Sequence, residues 1–162
     1  MRIITANLNG IRSAQKKGFF DWMATTHADV VCVQELKAQE SDLTDEMRAP
    51  AGYTGHFSYA VEKGYSGVGI YTKQSPSMLR RTLDHPIFDT EGRYVEADFG
   101  NYTVVSLYLP SASSRNPEEQ VIKQQKKDEA LRVFAEHMQS LKASGRSVII
   151  CGDWNIAHTE KD

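Results

Sequence analysis

Two cysteines in 162 residues are too few for a disulfide framework. Cys32 and Cys151 each sit inside an apolar run, "DVVCVQE" and "SVIICGD", and read as buried core thiols, because a free cysteine packs like a small hydrophobe. No apolar run is long enough to span a bilayer, which excludes a helical membrane segment. The opening "MRIITANLNG" has no signal-peptide hydrophobic region, so a reducing cytoplasm is the expected compartment. Surplus charge is missing too: the formal net charge is -2, so nucleic-acid binding would need a local basic patch. No Cys or His cluster offers a zinc site, and no glycine-rich phosphate loop occurs. Repeats, linkers and low-complexity segments are also absent.

What is present describes an ordinary soluble domain. Hydrophobic residues make up 40% and charged residues 25%, and the length predicts one domain able to bury roughly 70% of its unfolded surface. "RIITA" reads as a buried strand that ends in Asn7, Asn9 and Gly10. "SAQKKGFFDWMATTHA" predicts one short helix, and "DVVCVQ" a second apolar strand. Ser41 is a candidate N-cap for a helical turn in "SDLTDEMRA". "GYTGHFSYA" and "GVGIYTK" predict two strands. "GRYVEADFGNYTVVSLYLP" predicts a hairpin turning at Gly100-Asn101. The longest helix is expected from Asn116, its cap, through Pro117 at its first position, to a stop at Gly145. Leu131, Phe134, Met138 and Leu141 form its apolar stripe. "RSVIICGDWN" closes the series with another buried strand. This order predicts an α/β layered domain with a mixed sheet.

Four apolar runs end in something polar: Asn7, Glu35, Tyr108, and the pair Asp153 and Asn155. In layered α/β folds ligands collect where strand ends cluster. If these ends share one edge, an amide, a carboxylate, a phenol and an Asp-Asn pair meet there. Those groups suit metal-assisted chemistry at a phosphate. Mg²⁺ takes one or two carboxylates and keeps waters and substrate oxygens, which makes Glu35 the best ligand candidate. Asp153 and Asn155 are two residues apart and share one side of an extended segment. Asp153 could take a proton from a water nucleophile while Asn155 orients the substrate. Plainer readings stand beside these: a solvated Glu35, an Asx-turn at Asp153, strand packing for Tyr108, and a turn set by Asn7, Asn9 and Gly10.

The ordered stretches "ANLNGIRSA", "QELKAQ", "GYSGVGIY", "GRYVEADF", "SLYLPS" and "GDWNIAHTEKD" resemble the motifs of exonuclease III-type apurinic/apyrimidinic endonucleases. These belong to the endonuclease/exonuclease/phosphatase superfamily. The resemblance spans essentially the whole chain. It implies the first half of a four-layer α/β sandwich, and Mg²⁺-dependent cleavage 5′ to abasic sites, with Mn²⁺ able to substitute. It also implies 3′-to-5′ exonuclease and 3′-phosphatase activity. The partner it implies is double-stranded DNA with abasic sites or blocked 3′ ends, acted on by a monomeric complete protein.

Position by position, the resemblance makes Glu35 a metal ligand and places Asn7 at the metal and the phosphate. Tyr108 becomes the phenol against the scissile phosphate, and Asp153 the group that activates water or serves the leaving group. Asn155 would hold a phosphate oxygen, with Asp153 and Asn155 also near the metal. Arg93 would help place the DNA. Asn9 and Trp154 fall in motifs without an assigned role.

Family members continue past this length. Their second half carries an Asp-containing substrate motif and a Ser-Asp-His motif that supplies another carboxylate and a histidine. Asp84-His85-Pro86 imitates part of the latter and is expected to be unrelated. His27, His56, His137 and His158 are expected to be surface or packing residues. Residues 1–162 are therefore expected to be the N-terminal part of such a domain, inactive alone, with one apolar sheet face bare. Two other readings compete. One is a catalytically silent RNA- or protein-binding regulator of the catabolite-repression-control type, which typically loses these acidic residues. The other is a superfamily phosphatase acting on a sugar or lipid phosphate.

Overall fold

The computed structural model describes residues 1–157 and 159; His158 lies outside the described residues. Two four-stranded sheets form, not one. The first has the order β1-β2-β4-β3, from β1 (Ile3–Asn7), β2 (Val30–Gln34), β3 (Thr54–Ser58) and β4 (Val68–Thr72). The second has the order β5-β6-β7-β8, from β5 (Met78–Arg80), β6 (Tyr94–Asp98), β7 (Tyr102–Tyr108) and β8 (Ser147–Asp153). Each sheet is mixed. β1 runs parallel to β2 and β7 parallel to β8, while the other neighbours are antiparallel.

Alternation of side chains decides which layer each residue joins. Val30 and Cys32 of β2 meet Val95, Ala97 and Val104 of the other sheet in the layer between sheets. Val31 and Val33 point the other way, onto Ile11, Phe20, Met23 and Met47 of the first helical layer. Tyr94, Val105 and Leu107 pack under Phe88, Ala130, Phe134 and Leu141 of the second. Each fully buried side chain of this size contributes about 1.5–3 kcal/mol. The result is a helix, sheet, sheet, helix sandwich. Both sheets are built within this chain, and both outer faces carry helices, so the expected bare apolar face does not exist. Both edges of each sheet have a strand neighbour on one side only among the described residues: β1 and β3 in the first sheet, β5 and β8 in the second.

The helices refine the sequence reading. The expected single helix is two, α1 (Ile11–Lys16) and α2 (Phe19–Thr25), because Gly18 adopts φ 79° between them. Ser41 is not a cap. It sits in a 3₁₀ turn over Glu40–Asp42, and Thr44 caps α3 (Asp45–Arg48) by accepting from the Met47 amide at 3.3 Å. β5 and α4 (Pro86–Asp89) were not foreseen. His85 caps α4 and pairs with Glu129 at 3.3 Å, so Asp84-His85-Pro86 has a local structural job. α5 (Pro117–Ala143) matches its expected signals: Asn116 accepts from the Glu118 amide, Pro117 leads, and Gly145 follows at φ 74°. β8 is half-buried along most of its length, less covered than its apolar sequence suggested. No helix among the described residues is long and apolar enough to cross a membrane.

Candidate active site

Parallel pairing brings the polar strand ends together. Asn7 lies level with Gln34 across β1 and β2, and Tyr108 level with Asp153 across β7 and β8. Glu35, one residue past β2, therefore stands beside Asn7, and the two sheets present these ends at the same edge of the sandwich.

One amide joins the sheets there. Asn7 Nδ2 donates to Glu35 Oε1 at 2.9 Å and to Asp153 Oδ2 at 2.8 Å. Tyr108 also donates to Glu35 Oε1, at 3.1 Å, and Lys37 Nζ lies 2.7 Å from Glu35 Oε2. Burial alone would raise the Glu35 pKa, yet the hydrogen bonds from Asn7, Lys37 and Tyr108, with the Lys37 charge, hold it below the usual carboxylate range. Burial first, then the charge and hydrogen bond of Glu35, push the Tyr108 phenol up to about 12. At neutral pH Tyr108 is thus a donor and not a base.

Asp153 is held at both oxygens. Oδ2 accepts from Asn7, and Oδ1 accepts from the Asn155 amide at 3.0 Å, an Asx-turn. The turn and the site are the same feature, so the plainer reading and the functional one coexist. Gly152 permits it: a Cβ there would lie 2.1 Å from the Leu107 carbonyl oxygen. A cleft of about 620 Å³ opens beside the pair, lined by Asn7, Gln34, Asp153, Trp154, Asn155 and Ile156, among others.

Two expected roles change on this geometry. Arg93 is not placed to touch a substrate. Its side chain is 3% exposed and donates to Glu91 at 2.7 Å, the Tyr65 hydroxyl at 2.7 Å and the Tyr108 carbonyl at 3.0 Å. Its guanidinium carbon lies 4.8 Å from the Tyr108 ring centroid, so Arg93 is a prop under Tyr108. Asn7 turns its NH₂ to both carboxylates while its Oδ1 accepts from the Asn9 amide at 3.0 Å, so it clamps the acids and does not offer an oxygen as a metal ligand. Asn155 Nδ2 donates to the Leu109 carbonyl at 2.8 Å, which fixes the side chain beside Asp153 and leaves its second N–H and its Oδ1 for another partner.

Several supporting residues escaped the sequence reading. Gln34, 1% exposed, donates to Ser106 at 3.1 Å and accepts from Thr5 at 3.3 Å, tying the sheets beneath the site. A polar residue inside an otherwise apolar run was the available signal. Lys37 also donates to Asn9 Oδ1 at 2.6 Å. Glu91 receives Lys126 at 2.5 Å as well as Arg93, and Lys127 donates to the Asn155 carbonyl. Trp154 packs edge-on to Phe134 with centroids 5.8 Å apart. Of the expected surface or packing roles His137 takes packing: from α5 it bonds Tyr94 at 2.8 Å and Glu96 at 3.1 Å.

Two acidic groups from different sheets, clamped by one amide at the level strand ends, direct attention to phosphate-cleaving folds. The profile of the Endonuclease/Exonuclease/phosphatase family matches residues 4–162. The chain belongs to this family. Within it, the chain is 32% identical over its whole length to a DNA-(apurinic or apyrimidinic site) endonuclease of Dictyostelium discoideum, covering 44% of that protein. It is 33% identical to an exodeoxyribonuclease of Bacillus subtilis, covering 61% of it. An AP endonuclease structure from Archaeoglobus fulgidus superposes with a TM-score of 0.80 at 26% identity, over all of this chain and 60% of that one. The catalytic domain of Xenopus laevis APE2 superposes with a TM-score of 0.81 at 29% identity, over 98% of this chain and 60% of that one. The chain thus spans about half to three-fifths of the length of these family members.

Proposed function

We propose that this chain is the N-terminal part of a Mg²⁺-dependent DNA phosphodiesterase of base-excision repair. In the complete protein it cleaves 5′ to abasic sites, with 3′-to-5′ exonuclease and 3′-phosphatase activity. Its substrate is double-stranded DNA with an abasic site or blocked 3′ end, and it acts as a cytoplasmic monomer. The observation that carries this reading is the single Asn7 amide bridging Glu35 and Asp153, with the Tyr108 phenol on the same Glu35 oxygen.

The donor set fits a hard divalent cation. Glu35 and Asp153 supply carboxylate oxygens, and no cluster of three or more His, Cys, Asp or Glu residues forms a softer or denser site among the described residues. Glu35 would hold the ion, with Asp153 beside it; when bound, Mg²⁺ or Mn²⁺ supplies Lewis-acid neutralisation of charge at the phosphate. Asp153 accepts a proton from the attacking water, and its Asx-turn and Asn7 bonds fix the direction of that transfer. Tyr108, a protonated donor at neutral pH, gives a hydrogen bond to an oxygen of the phosphate or keeps Glu35 in place. The histidine and further carboxylate of the family's second half would complete charge stabilisation.

The silent-regulator reading is disfavoured because Glu35, Asp153, Asn7 and Tyr108 form one connected network. The test is nicking of an abasic duplex by the complete protein with and without Mg²⁺. Cleavage confined to abasic DNA with Mg²⁺ supports the proposal. RNA binding without cleavage supports the regulator, and release of phosphate from sugar or lipid monoesters alone supports the phosphatase.

A further inference from the structure

Lys127 is a largely buried lysine of α5. Its residue is 9% exposed, and no carboxylate pairs with it among the described residues, although its neighbours Lys123 and Lys126 both form ion pairs. Burying a charge away from water is costly unless it is paired or well hydrogen-bonded. The partner Lys127 does have is the main-chain carbonyl of Asn155.

That carbonyl belongs to a residue in a left-handed turn. Asn155 holds φ 50°, in the left-handed region that, glycine apart, asparagine enters more readily than most residues but does not hold without support. Its own amide supplies the bond to Asp153 Oδ1, so its backbone conformation sets where Asp153 points. Other hydrogen bonds of this turn come from the sheets: Asn155 Nδ2 to Leu109 O and Leu109 N to Asp153 O at the end of β7, and Asn7 Nδ2 to Asp153 Oδ2 from β1. From the outer helical layer Lys127 supplies a hydrogen bond, beside the packing of Phe134 on Trp154. It stands on a 27-residue helix fixed by buried Ala130, Phe134 and Leu141, a rigid platform for a site.

We propose that Lys127 is a positioning residue: its ammonium, bonded to the Asn155 carbonyl, holds Asn155 in its left-handed conformation and thereby aims the Asp153 carboxylate. The inference rests on the phosphodiesterase reading for its consequence in turnover, but not for its structural content. The adjacent Lys126 serves the facing wall by a longer route. It binds Glu91, which binds Arg93, which carries the Tyr108 ring and carbonyl. One turn of α5 therefore braces both sides of the candidate site.

The test compares Lys127→Met, Lys127→Gln and Lys127→Arg in the complete protein. Three quantities are read: kcat and KM on an abasic duplex with Mg²⁺, hydrogen exchange at the Asn155 amide, and the melting temperature. Lys127→Met should lower kcat about ten- to a hundredfold, as expected for losing one charge-assisted hydrogen bond that positions a reacting group, with KM within about twofold. Exchange at the Asn155 amide should rise about tenfold while the rest of β8 is unchanged. The melting temperature should hold or rise, because Met fills the same space without a buried charge. Lys127→Arg should recover most of both losses, and Lys127→Gln should fall between.

Wild-type kcat and exchange in Lys127→Met would overturn the proposal. So would a parallel fall in kcat and melting temperature with exchange raised throughout the chain, which marks a merely structural residue. Should Lys127→Met fail to fold, Lys127→Gln against Lys127→Arg decides on the same readouts. If the wild-type protein does not nick abasic DNA, the function proposed above fails, yet the Asn155 exchange arm still supports or overturns the role of Lys127.

Discussion

Replacing Tyr108 with Phe isolates one hydrogen bond of the candidate site. The phenol donates to Glu35 Oε1 at 3.1 Å, and the ring lies over Arg93. Phe keeps the ring on its guanidinium support and removes the hydroxyl alone. A hydrogen bond to a charged acceptor is worth about 1.5–3 kcal/mol, which is about a ten- to hundredfold loss in kcat if it is realised in the transition state. The lower end is expected, because Tyr108 is half-buried and Glu35 keeps its bonds to Asn7 and Lys37. Folding stability should move by less than about 1 kcal/mol, since no buried polar group loses its last partner. Steady-state nicking of an abasic duplex, with urea unfolding alongside, separates the two effects. With the phenol pushed up to about 12, Tyr108 does not titrate near neutrality, so the shape of the pH-rate profile should match wild type between roughly pH 6 and 9. Unchanged kcat would refute the donor role. A wild-type basic limb that disappears in the variant would refute it differently, by showing that the phenol ionises in that range.

Glu35→Gln should weaken Mg²⁺ binding and activation, because it replaces the carboxylate facing Lys37 and Asn7 by a neutral amide; calorimetric titration of Mg²⁺ that matches wild type would remove Glu35 from the metal assignment. Glu96 should contribute to acid lability. Burial alone would raise its pKa, but hydrogen bonds from His137 and Tyr94 and the His137 charge lower it. A depressed carboxylate binds fewer protons folded than unfolded, so its stabilisation is present above the unfolded value of 4.5 and lost as pH falls through the lower folded one; the urea midpoint of Glu96→Gln should therefore fall less steeply than wild type below that value, and equal slopes would contradict this. Gly92→Ala should destabilise by about 2–4 kcal/mol, because Gly92 has φ 59° and a Cβ would lie 2.4 Å from the Tyr59 carbonyl carbon; a wild-type melting curve would count against that packing.

Seven of the eight strands and the long helix are legible because their signals are local, and three-residue β5 is not. β2 and β8 announce themselves by β-branched runs, and α5 by Asn116, Pro117 and Gly145. The clustering of Asn7, Glu35, Tyr108 and Asp153 was legible as well, since each follows an apolar run and parallel neighbours end level. The supporting groups were not. Gln34 meets Ser106 across 72 residues, and Lys126 meets Glu91 across 35, so their partners are set by sheet stacking and helix docking. Tyr94 and Glu96 alternate with apolar neighbours as a solvated hairpin face would, yet α5 covers that face and both are buried. The resemblance of "GRYVEADF" to a family motif assigns Arg93 to DNA, but its burial under Tyr108 follows from packing that no window of sequence contains.

The backbone of the site shows the same division. Asn9, Glu35, Lys37 and Asn155 all hold positive φ, between 46° and 55°, a region rarely occupied by residues other than glycine. Propensity gives no reason to place Glu or Lys there. The structure holds them by closing loops on one another: Gly10 and Ile11 donate to the carbonyls of Glu35 and Leu36 at 2.8 and 2.9 Å, while Leu36 and Lys37 donate to those of Gly67 and Ser66 at 3.0 and 2.8 Å. Four backbone bonds to two separate loops therefore fix three residues, at a strain of about 1–2 kcal/mol for each left-handed one. A relaxed extended path after β2 would give up those bonds and carry the Glu35 carboxylate away from Asn7 and Tyr108. Strain kept where four tertiary bonds enforce it, and where two acidic side chains meet, is explained by the position it gives Glu35 and not by local stability.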